Sequence, residues 1–145
     1  MKSFKNLLQL AVLLIATATV SFAAKSPSQH APAVGGYDLV SYQQMSGPVH
    51  GSKSLMSKYH GSVYIFANEA NLAMFEANPE KYLPAYDGYC AYGVAIGKKL
   101  ETDPTVYDVV DGQLYLNYNS EVKVKWAADK QANIEKADAN WSKLM

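Results

Sequence analysis

The segment Val106-Tyr107-Asp108-Val109-Val110-Asp111-Gly112-Gln113-Leu114-Tyr115-Leu116-Asn117-Tyr118 decides the fold class. Two runs rich in β-formers flank an Asp-Gly pair. Such a pair is the strongest short-range hairpin signal, because both residues tolerate the positive φ of a tight primed turn. Upstream, residues 54–59 and 62–67 are further β-prone runs around His60-Gly61, so a second hairpin is expected there. Between and around the hairpins the pattern turns helical. Asp38 is placed to cap a short helix running to Met45, with Leu39, Val40 and Tyr42 as its apolar positions. Asn68 caps a helix carrying Leu72 and Phe75, which Asn78-Pro79 stops. Residues 90–97 read as a short buried helix leaving through Gly97. Ser120 is read as the cap of a helix over 121–130, and a last helix is expected over 132–141. The order α, ββ, α, ββ, α predicts an α+β fold: one small domain with two antiparallel β-hairpins and flanking short helices. No repeat of fixed period is visible.

The chain has 145 residues, 13 lysines, no arginine and 13 acidic residues, so its formal charge is zero. That balance lacks the basic footprint of a nucleic-acid binder. With 49% hydrophobic and 18% charged residues it is also unlike a charged disordered tail. Lys2 and Lys5 precede an apolar run that ends at small residues around Ala23, the layout of a secretory signal peptide over residues 1–23. The clean apolar run is shorter than the ~20 residues of a spanning helix, so no stable membrane span is expected after cleavage. Residues 24–36, rich in Ser, Pro, Ala and Gly, read as a flexible leader, and residues 37–145 as the folded domain. The expected location is periplasmic or secreted. Bacterial periplasm is oxidising, and the single cysteine, Cys90, has no intrachain partner there.

Cys90 is therefore the first candidate for chemistry. It reads three ways: as a small buried hydrophobe, as a soft thiolate ligand for Cu(I), or as a redox-active thiol. His60, at the first hairpin turn, is the nearest candidate to help as a ligand; His30 falls in the leader and His50 in a loop. Met45 and Met56 could supply thioethers, while Met74 is assigned to packing on a core helix. Tyr86, Tyr89 and Tyr92 crowd around Cys90 and could wall a ligand pocket. Trp126 and Trp141 read as core anchors. No phosphate loop, nucleophile elbow or Cys-x-x-Cys is present.

Tyr59-His60-Gly61, residues 63–67 (VYIFA) and residues 75–83 (FEANPEKYL) resemble the YHS domain family. Residues 36–42, 88–92, 110–118 and 137–141 resemble its exported, stand-alone branch, so the resemblance runs from Gly36 onward. It implies a small α+β domain and metal binding, often of copper. Metal-binding relatives commonly carry Phe-Cys-x-x-x-Cys after the second strand. Here Ala67 follows Phe66 and Asn71 stands at the second cysteine position, so both of those ligands are missing, and the metal reading centres instead on Cys90 as the soft ligand with His60 or a methionine as its nearest candidate helper. The function expected first is a periplasmic copper-type metal-handling module centred on Cys90; a single-cysteine thiol redox protein comes second, and a non-catalytic module that binds a small ligand or a partner protein third.

Overall fold

A computed structural model describes residues 32–145 of the chain; the expected signal peptide and most of the leader lie outside the described residues. The two hairpins form as the sequence predicts. Strand β1 (Ser52–Tyr59) pairs antiparallel with β2 (Ser62–Phe66), and β3 (Asp103–Val110) pairs antiparallel with β4 (Gln113–Asn117). Both turns use two residues at positive φ, His60-Gly61 in the first and Asp111-Gly112 in the second. The fold is α+β, with each two-stranded sheet separate from the other. Helix α1 spans Glu69–Ala77, α2 Ala91–Ala95, α3 Ser120–Ala128 and α4 Lys130–Leu144.

These elements form two copies of one ββα unit. Ser52, Ser62 and Glu69 open β1, β2 and α1; Asp103, Gln113 and Ser120, each 51 residues later, open β3, β4 and α3. The likeness reaches into detail. The strand register slips between Ser52 and Met56 in the first unit and between Asp103 and Tyr107 in the second. Asn68 and Asn119 cap equivalent helices, through 2.8 and 2.9 Å bonds from the amides of Asn71 and Val122. Both helices end on a residue of the same backbone shape, Asn78 (φ −156°, ψ 77°) and Asp129 (φ −153°, ψ 79°). Phe75 and Trp126 occupy matching positions, both fully buried. Each unit is preceded by a short turn of left-handed residues, Val34-Gly35-Gly36 before the first and Tyr86-Asp87-Gly88 before the second. The sequence shows no period because few matched positions are identical, among them Gly61/Gly112, Tyr64/Tyr115 and Asn68/Asn119.

Two apolar cores follow from the two units, and β4 joins them. Side chains alternate across a strand, so Leu114 and Leu116 enter a core with Leu39, Val40, Tyr42, Phe66 and Phe75, while Tyr115 points into another with Tyr86, Val94 and Trp126. Among the described residues no helix is long and apolar enough to cross a membrane.

Several local expectations shift. Asp38 does cap a turn, but only a single 3-10 turn, Ser41–Gln43, follows it. Ser41 Oγ donates back to the Asp38 carbonyl (2.5 Å) and accepts from Val49 N (3.0 Å), a side-chain alternative that draws the backbone out of a helix. Asn119, not Ser120, caps α3, and α4 starts at Lys130 because Asp129 caps it through Ala132 N (3.1 Å). The packed structure begins before Tyr37: Ala33–Gly36 forms a turn, and Ala33 and Val34 lie on the first core. Met74 is half-exposed, since Phe75 takes the inward place on α1. Trp126 anchors a core; Trp141 is only partly covered.

Candidate functional site

Cys90 is fully buried. It stands at the N-cap of α2, where Sγ accepts from Gly93 N (3.4 Å) and donates to Asn117 Oδ1 (3.7 Å). The same Oδ1 accepts from Tyr92 N (3.3 Å), which fixes the orientation of the Asn117 amide. Asn117 Nδ2, buried with it, has no partner among the described residues. The counterpart of Cys90 in the first unit is Asp38, one residue after Tyr37 as Cys90 is one residue after Tyr89. Asp38 is also fully buried, and its carboxylate gathers four donors: Val40 N (2.8 Å), Ser41 N (3.3 Å), Ala67 N (2.9 Å) and Asn71 Nδ2 (2.7 Å). Both residues thus close the start of a turn by accepting the amide three residues on. In the first unit that acceptor is a carboxylate, in the second a thiol.

His60 lies elsewhere. Its side chain is largely exposed at the first hairpin turn, its ring 4.2 Å from that of Tyr59 and its Nε2 3.8 Å from Glu80 Oε1. Glu80 Oε1 also accepts from the Tyr59 hydroxyl at 2.6 Å, a bond that holds the phenol proton and raises the Tyr59 pKa. The structure does not bring Cys90 and His60 together: His60 lines a cleft whose wall does not include Cys90. Among the described residues no three His, Cys, Asp or Glu side chains gather as a metal-binding group.

A cleft that the sequence does not announce lies against both ββα units. Its volume is about 960 Å³. Val34 and Gly35 come from the first left-handed turn, Asp87 and Gly88 from the second, and Leu116 from the face of β4 that enters the first core. Tyr64, whose pKa is raised chiefly by burial, and Tyr89 supply aromatic surface. The carboxylates of Glu80, Asp87 and Glu101 line it, and His60 is the one basic side chain of its wall among the described residues. Of the five non-glycine residues at positive φ among the described residues, Val34 (φ 54°), His60 (φ 47°) and Asp87 (φ 52°) stand in this wall. A β-branched residue in that region is strained, and such strain collects at binding sites. The signal available in the sequence was slight, since Val34 and Asp87 gave no hint of their backbone shape.

Of the three tyrosines expected to wall a pocket, Tyr89 does line the cleft. Tyr86 turns into the second core against Tyr115 and Trp141, with its hydroxyl on Asp138 Oδ1 at 2.8 Å. Burial, then that carboxylate, pushes its pKa upward. Tyr92 packs on the same core. No family model, curated protein or solved structure matches the chain.

Proposed function

We propose that the chain is an exported protein of YHS type whose domain is a non-catalytic binding module, with the cleft between its ββα units as the site for a small molecule. The observation that carries this reading is the cleft of about 960 Å³, whose wall is shared about equally between apolar and polar groups. Ligand sites typically measure ~300–1,000 Å³. The copper reading, centred on Cys90 with His60 as helper, draws on the family resemblance and on the softness of a thiolate. Against it, the thiol is buried and already hydrogen-bonded, and His60 faces a different space.

The test is a screen of small-molecule mixtures by amide NMR shifts. Ligand-induced shifts are expected at Val34, Ser62, Asp87 and Leu116, and Ser62→Trp, which puts an indole into part of the cleft, should weaken them. Shifts scattered away from these residues, or unchanged by the variant, would refute the reading. A Cu(I) competition titration on the protein and on Cys90→Ser runs beside it. Tight binding that disappears in the variant would replace the ligand reading with metal handling.

A further inference from the structure

The wall of the cleft continues into an aromatic notch that already holds a cation. Lys99 Nζ lies 5.3 Å from the ring centroids of both Tyr89 and Trp141, whose own centroids are 6.2 Å apart. Tyr86 stands edge-on to the same indole at 5.8 Å. Tyr89 belongs to both places, since it also lines the cleft. The backbone on either side of Tyr89 is held, because Cys90 N donates to Leu100 O (2.9 Å) and Thr102 Oγ1 donates to Gly88 O (3.0 Å), while Asp138 holds the Tyr86 hydroxyl. The cation is not fixed. Lys99 is exposed, and its ammonium forms no ion pair among the described residues.

The duplication supplies an internal control. Tyr37 is the counterpart of Tyr89, and its ring is closed by the imidazole of His50, stacked at 4.0 Å and held by the backbone bridge between these two residues. That face is filled by a ring on a fixed backbone. The Tyr89 face is covered only by the tip of a long, exposed side chain, which can swing away.

We propose that the Tyr89–Trp141 notch is the cation subsite of the cleft, that it takes an alkylated ammonium group on a small organic ligand, and that Lys99 is its built-in competitor. The proposal rests on the cleft being a ligand site. A quaternary ammonium suits such a notch because aromatic faces attract a cation without having to match the strong hydration of a primary ammonium. The rest of the ligand would lie along the Tyr89 side of the cleft, where the carboxylates of Asp87 and Glu101 add negative potential.

The experiment uses choline as probe, with its uncharged tert-butyl isostere as control, and follows the indole N–H shift of Trp141 together with the amides of Val34, Asp87 and Leu116. Choline should bind about tenfold more tightly than the isostere, in keeping with the strength of a cation–aromatic contact. Lys99→Ala should tighten choline binding several-fold, and Tyr89→Leu should remove the preference for the cation. Equal binding of both probes at the cleft, or weaker choline binding in Lys99→Ala, would overturn the cation subsite and leave the cleft reading standing. No shift at either place with either probe would overturn the subsite, and the mixture screen above then decides the fate of the cleft itself.

Discussion

Replacing Asp38 by asparagine should unfold this domain more readily than its small change in shape suggests. The carboxylate is fully buried, and both of its oxygens are committed: Oδ1 accepts from Val40 N and Ser41 N, Oδ2 from Ala67 N and Asn71 Nδ2. All four partners are donors. An amide in this place must turn its NH₂ toward one pair, so that donors face donors whichever way it flips. Hydrogen bonds to a charged group contribute about 1.5–3 kcal/mol each, and an orphaned buried donor costs about 1–3 kcal/mol. Losing two such bonds, offset by the easier burial of a neutral group, gives a cost of about 3–5 kcal/mol. That is a large part of the ~5–15 kcal/mol that stabilises a typical domain. The assay is urea unfolding of the wild type, Asp38→Asn and Asp38→Ala. The midpoint should fall strongly in both variants at unchanged slope, with Asn giving little advantage over Ala. An Asn variant within about 1 kcal/mol of wild type would refute the reasoning, because it would mean that one of the two donor pairs finds water or another acceptor.

Other consequences follow from the same geometry. The Cys90 thiol should be silent to a soluble disulfide reagent in the folded protein and react stoichiometrically in guanidinium; fast native reaction would contradict its burial and revive the thiol redox reading. Cys90→Ser should cost no more than about 1 kcal/mol, since a hydroxyl is a good N-cap and can still donate to Asn117, as urea midpoints would show. The phenols of Tyr42 and Tyr86 are raised mainly by burial, so the folded state keeps protons that the unfolded chain releases above its ordinary tyrosine value. Stability should therefore be whole below about pH 10 and fall above it by about 1.4 kcal/mol per pH unit for each tyrosine. Tyr86→Phe should make that alkaline decline shallower, measured by urea midpoints from roughly pH 9 to 11. Gly51→Ala should weaken the first hairpin by ~1–3 kcal/mol, because a Cβ there would meet the Ile65 carbonyl group and come within 2.6 Å of Phe66 N; an unchanged thermal midpoint would show that the strands can separate without loss.

What the sequence by itself determined was local. Asp111-Gly112 and His60-Gly61 sit where two φ > 0 residues are needed, Asn68 bonds an amide three residues away, and Asn78-Pro79 ends α1 within a single turn. Each of these is settled by residues a few positions apart, so both hairpins and the helices after them could be read directly, whereas the helix expected after Asp38 gives way to a single 3-10 turn. The duplication was not legible, because packing asks of matched positions only similar burial and size: Phe75 and Trp126 serve the same purpose with different side chains. Only tertiary structure decided the site. Cys90 looked available in sequence and became buried because α2 and β4 close over it, with Asn117 in contact from 27 residues away. His60 and Cys90 were separated, while Val34, His60, Asp87 and Glu101 were brought to one cleft from four distant stretches of chain. No local rule links those stretches; their meeting is set by the way the two units pack, through the Leu114–Leu116 face of β4, against the turns that precede them.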